Sequence, residues 1–158
     1  MIPQTQEVAQ TRPFDGRNST FTIDGRSVTL VNGVSVVAIP GSSSTVTTRY
    51  FGNEATGNLT NNGNDDIAFL ISQDTGGSGL FYYVVVAYKT ADGYKTTNAF
   101  FVGDRIAPQS THIQSDAREL YVNYAERRPG EPMTAQPSIG VTKVLKVTQD
   151  GTLEAVER

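Results

Sequence analysis

The chain has 158 residues, enough for one domain with a real hydrophobic core, and it contains no cysteine, so disulfide staples and thiolate metal sites are both excluded. Its net charge is -3, and its 13 lysines and arginines are scattered, which argues against a nucleic-acid footprint or a polybasic membrane patch. No apolar run approaches the roughly 20 residues of a spanning helix, so no membrane span is expected.

Residues 1–13 hold Gln, Thr and Pro with few apolar side chains and read as a flexible N-terminal arm ahead of a single β domain over 14–158. From Ser19 an alternation begins. Phe21 and Ile23 alternate with polar residues, Asp24-Gly25 turns, Val28 and Leu30 alternate again, and Asn32-Gly33 turns into Val34 to Ile39. Two-residue loops pair Ile23 with Arg26 and Val31 with Val34. They predict a three-strand meander with Phe21, Ile23, Val28, Leu30, Val37 and Ile39 on one face.

Thr45 to Phe51 reads as a β-branched strand. Ile67 to Ser72 and Leu80 to Tyr88 are apolar on both faces, as strands at the heart of a sheet covered on both sides are. Tyr94 to Val102 predicts one further strand, and Thr111 to Ser115, Leu120 to Tyr124 and Val141 to Thr148 predict three more, before a short terminal segment after Asp150-Gly151. Helix signals are nearly absent, with at most one turn at Asp116 to Glu119. The expected fold is all-β: a single-domain antiparallel sandwich or barrel-like sheet of about 8–10 strands.

The sharpest local pattern is Gly57 to Asp66, which runs straight into the apolar strand at Ile67. Its spacing is that of a looped calcium site, D-x-[DN]-x-[DN]-G-x-x-D, with Asn58, Thr60, Asn62 and Asp66 in the ligand slots. Only Asp66 carries charge. A hard cation needs formal negative charge to offset its dehydration, so a structural turn is expected; a weak residual calcium affinity is the most these oxygens would support, and no cofactor is expected.

These residues, together with others in order along the chain, resemble a family of bacterial exported proteins and lipoproteins of unknown function. That family combines a TVTL-type hairpin, a G-D-L-N-G-D-G-x-x-D turn before an apolar strand, G-G-S-G-x-F, G-D-R-[VI] and a P-M-x-x-P segment. The matching pieces are Ser27 to Val31, Gly57 to Asp66, Gly76 to Phe81, Gly103 to Ile106, and Glu131 to Met133 with Pro137. Asn58, Thr60 and Asn62 depart from the more acidic loop of that pattern. The resemblance implies an exported location, periplasmic, lipid-anchored or secreted, with the signal segment absent from this sequence, and it implies no activity.

No catalytic constellation is visible. His112 is the only histidine, and Asp65 and Asp66, being adjacent, point to opposite faces of an extended chain. Gly76 to Gly79 precedes a strand, whereas a phosphate cradle needs a following helix. Ser78, Gly79 and Tyr82 are similar to the S-G-x-x-Y motif of periplasmic lysozyme inhibitors and make a candidate interaction loop. Asp104 and Arg105 read as a turn closed by a local ion pair, or as a ligand clamp.

The function expected is that of a non-enzymatic envelope or extracellular binding module with a protein or glycan partner, without nucleic acid. The alternative is an inhibitor of a cell-wall hydrolase acting through Ser78 to Tyr82. A binding rim is expected from the loops at 53–65, 74–79 and 127–137. Self-association through open edge strands is a further expectation.

Overall fold

The computed structural model describes residues 14–157, so the expected arm at 1–13 lies outside the described residues. Twelve strands and one 3₁₀ turn, Gly16–Asn18, make up the described chain. The strands are β1 (Thr20–Ile23), β2 (Arg26–Thr29), β3 (Val34–Ala38), β4 (Thr45–Gly57), β5 (Asp66–Asp74), β6 (Phe81–Thr90), β7 (Gly93–Thr96), β8 (Phe100–Asp104), β9 (Ala107–Gln114), β10 (Glu119–Glu126), β11 (Ile139–Val147) and β12 (Leu153–Ala155). They form three antiparallel sheets: the hairpin β1-β2, a four-stranded sheet β12-β11-β10-β9, and a six-stranded sheet β3-β4-β5-β6-β7 in which β8 also pairs with β6. The all-β sandwich is as expected, with more strands than anticipated. No helix among the described residues is long and apolar enough to cross a membrane.

β5 and β6 are apolar on both faces because both faces are covered. Ala68, Leu70, Val84 and Val86 pack against Leu120, Val122, Tyr124 and Leu145 of the four-stranded sheet. Phe69, Ile71, Tyr83 and Val85 pack against Phe21, Ile23 and Leu30 of the N-terminal hairpin and the residue that follows it. The domain is therefore layered hairpin, central sheet, second sheet. Each fully buried Val or Leu contributes about 1.5–3 kcal/mol, against about 0–1 for an exposed pair such as Lys146–Glu154 at 3.7 Å. Hydrophobic burial decides the layering.

The expected three-strand meander is corrected. Both registers hold, since Ile23 faces Arg26 and Val31 bridges Val34, but β3 then leaves the hairpin and pairs with β4 in the central sheet. The hairpin's own donors are already used: the Leu30 amide donates to the Ser19 carbonyl and the Gly33 amide to the Arg17 carbonyl. A turn closed by the Ile39 amide on the Ser44 carbonyl folds β3 onto β4 instead. Val37 keeps to the hairpin's side of the central sheet, in a groove with Ile23 and Val28, but ends 57% exposed instead of packed on Phe21.

The single strand expected over Tyr94 to Val102 is likewise corrected to two, β7 and β8, interrupted at the buried Thr97. The Thr97 hydroxyl accepts the Val86 amide at 3.1 Å, and the Thr97 amide donates to the Val86 carbonyl at 2.8 Å. A side chain replaces one rung of the ladder. The chain then shifts toward the hairpin, where the Ala99 amide donates to the Thr22 carbonyl.

Candidate functional site

The Gly57 to Asp66 turn spends its oxygens on itself. Asp66 is fully buried, and its Oδ2 accepts the Leu59 and Thr60 amides at 2.7 and 2.9 Å while the Thr60 hydroxyl donates to both carboxylate oxygens. Asn58 Oδ1 accepts the Asn61 amide at 2.7 Å, and Asn62 Oδ1 accepts the Asn64 amide at 3.0 Å. Asn61 and Gly63 adopt positive φ, at 59° and 83°, as such turns require. Burial pushes the Asp66 carboxyl above its ordinary value, with the Leu59 and Thr60 hydrogen bonds acting in the opposite sense. Leu59 is thereby pinned into the core between the sheets. Among the described residues, no group of three or more His, Asp or Glu is arranged to hold a metal ion.

This anchored loop forms one wall of an open cleft of about 480 Å³. Asn62 Nδ2 donates to the Lys89 carbonyl at 2.8 Å, fastening the loop to the end of β6. The remaining walls are the turn after β9, which brings Arg118, and the turn after β11, which brings Gln149 and Gly151 beside Tyr88. Asn61, Asn62, Tyr88, Arg118 and Gln149 offer amides, a phenol and one cation, while Lys89 contributes backbone and turns its Nζ over the Tyr94 ring at 5.6 Å, on the other face of β6. Among the described residues no Asp, Glu or His lines this cleft. It can hydrogen-bond and attract a polar or anionic ligand.

A shallower neighbouring groove does carry two carboxylates, Asp150 and Glu154. Asp150 accepts the Thr148 hydroxyl within its turn, and Glu154 pairs with Lys146. Each is engaged in local structure.

The three loops expected to share a rim are divided between opposite ends of the sandwich. Residues 58–65 precede β5 and residues 75–80 follow it, so they lie at its two ends. The 127–138 segment joins the second group, because Arg127 Nη1 donates to the Arg105 carbonyl at 2.6 Å beside the end of β8. Residues 53–57, expected in a loop, are the last turn-free stretch of β4.

Ser78 is exposed on the β5–β6 connection, and Gly79 is held beneath the Phe81 ring. Tyr82 stands in the core at 8% exposure, edge-on to Phe51 at 5.4 Å. A loop offered to an enzyme cleft here would present Ser78 and Gly79 without the tyrosine.

Asp104 and Arg105 lie at the corner where the chain leaves the central sheet for β9. Arg105 adopts a φ of 52°, and its guanidinium bonds Asp104 at 2.7 and 3.1 Å. Asp104 Oδ1 also accepts the Leu80 amide at 3.0 Å, tying the corner to the Ser78 loop. Burial opposes its ionisation, but the Arg105 pair, the Leu80 amide and nearby Arg127 together hold the carboxyl below its ordinary value. His112 is exposed and meets Gln114 at 3.2 Å, far from any such cluster. Tyr88, Lys89, Arg118 and Gln149 were not legible as a site, because each comes from a different turn or strand end and only packing brings them together.

Compared with protein-family models, curated proteins and solved structures, the chain matches none of them.

Proposed function

We propose that this chain is a non-enzymatic exported β domain of the envelope or extracellular space that binds an acidic glycan in the cleft between the Asn58–Asp66 turn and Arg118. The observation that carries this reading is the lining: the Arg118 cation, several amides and Tyr88, with no acid or histidine among the described residues. An acidic sugar supplies a carboxylate for Arg118, hydroxyls for Asn61, Asn62 and Gln149, and a ring face for Tyr88. In this reading the degenerate calcium-like turn is structural, and no cofactor takes part. The export assignment draws support from the ordered resemblance to the bacterial exported family.

Titration calorimetry with an oligogalacturonate and with its neutral, reduced counterpart tests the reading. Binding of the acidic oligosaccharide alone is expected, with a loss of tenfold or more in Arg118→Ala. Unchanged affinity in that variant, or release of shortened sugars on long incubation, would overturn it.

A further inference from the structure

We infer that the outer edge of β3 is a strand-acceptor site, and that its occupant is the N-terminal segment Thr5 to Thr11 of a second copy of this chain. The inference is independent of the glycan reading, since β3 and its groove lie at the Gln73 end of the central sheet and the cleft lies at the Asp66 end.

The backbone geometry singles out this edge. Gly33 gives its carbonyl to the Tyr50 amide, and Ile39 gives its amide to the Ser44 carbonyl, so the odd residues Ser35 and Val37 between them face β4. The even residues face outward. Val34 satisfies itself on Val31, through bonds of 3.2 and 3.0 Å, which leaves the amides and carbonyls of Val36 and Ala38 without a backbone partner among the described residues.

The other edges are shorter or carry features that block strand addition, and the part of β4 beyond β3 is broken by register shifts around Gly52. β9 contains Pro108 opposite an irregularity in β10, and β12 has three residues with Glu154 among them. On β8, the outward Val102 carbonyl is occupied by Lys143 Nζ at 3.0 Å. β7 has four residues and carries Lys95, and β2 has four and begins with Arg26. β3 reads Val-Ser-Val-Val-Ala, with no charge or proline, and exposes Val36 and Val37 on its two faces at 62% and 57%. Beside it runs a groove of about 420 Å³ floored by Val28, Val37 and Val46 and closed by Gln73 and Arg26.

The occupant follows from the sequence and from the path of the chain. Nine residues, Gln4 to Arg12, lie between Pro3 and Pro13 with no glycine or proline, and their β-capable centre is Thr-Gln-Glu-Val-Ala-Gln-Thr. Set antiparallel on β3 with Val8 in the groove, the segment places Glu7 on the opposite face, where Arg49 and Val36 lie. From Arg17, whose guanidinium bonds the Asn32 carbonyl, back to Phe14, whose ring is 5.5 Å from Tyr94, the chain crosses the central sheet away from β3. The Phe14 ring also lies 6.0 Å from Phe69 of β5, so the described chain begins over the β5–β7 half of its own sheet, two to four strands or about 10–19 Å at strand spacing from β3. Donor and acceptor are different surfaces, so the contact is heterologous and propagates head to tail.

Sedimentation velocity of the full chain across micromolar concentrations tests this. Association that grows with concentration is expected, and Val8→Lys and Val36→Lys should each sediment as monomers with unchanged thermal unfolding. A one-to-one mixture of the two variants should form a dimer and nothing longer, because only the arm of the second and the edge of the first are intact. A monomer at all concentrations would overturn the inference, as would association that survives Val8→Lys or a mixture that stays monomeric.

Discussion

Lys143 Nζ, carried on β11 of one sheet, donates to the Val102 carbonyl of β8 in the other at 3.0 Å, with the rings of Phe100, Phe101 and Tyr124 within 6.0 Å. A cation thus bridges the open side of the sandwich. Desolvation lowers its pKa, opposed by the charge of Glu126. In the window between the lowered value and the ordinary lysine value, the unfolded chain holds a proton that the folded chain has released, so this group adds stability as pH rises. Lys143→Met should remove that slope and cost about 1 kcal/mol near pH 7, and Lys143→Ala about 2, since the alanine also loses the stem packed on the rings. Urea unfolding at pH 7 and pH 10 measures both.

Asp66 titrates with the opposite sign of benefit. Its raised pKa means that the folded state keeps a proton just above the ordinary carboxylate value, where the unfolded chain has lost it, so stability falls as pH rises through that window. Asp66→Asn should abolish the fall and cost no more than about 1 kcal/mol at pH 7, because an amide oxygen can still accept the Leu59 and Thr60 amides. Asp66→Ala leaves those donors without an acceptor and should cost about 2–4 kcal/mol. Equal losses in the two variants would show that the charge matters more than the acceptor.

Asp104 supplies the contrasting case. Its carboxyl is held below the ordinary value, so its contribution is present above the unfolded pKa and is lost as pH falls through the folded one. Asp104→Asn should flatten the acid limb of the stability profile. The half-buried, still solvent-screened Arg105 pair limits the loss at pH 7 to about 1 kcal/mol.

Gly57, at the end of β4, packs against Ile113 of β9 in the other sheet. A Cβ there would stand 2.5 Å from Ile113 Cγ2 and 2.9 Å from Ile113 Cβ. Gly57→Ala should therefore cost about 1–3 kcal/mol through displacement of Ile113. Gly140→Ala, where nothing lies within 4 Å, should be neutral or mildly stabilising. Parallel thermal melts of the two variants make the comparison.

Local chemistry alone determined much of this protein. The Asp24-Gly25 and Asn32-Gly33 pairs adopt positive φ at both residues, which sets the hairpin turns and the observed Ile23–Arg26 and Val31–Val34 registers. The two-sided apolar character of β5 and β6 marked them as the centre, because period-two patterning reports burial on each face. The turn geometry of Asn58 to Asp66 was legible for the same reason: its glycine and asparagines accept the conformations that the loop needs.

Only the tertiary structure decided where β3 would pair, because valines at 34, 36 and 37 suit either neighbour and the choice depends on backbone donors already used elsewhere. Tyr82 faces the core because Phe51 of β4 and the second sheet cover that side of β6, a packing that the strand pattern alone does not name. The Lys89–Arg118 cleft and the guarded and unguarded edges depend on residues far apart in the chain. Their proximity is a product of sheet packing, and no local pattern encodes it.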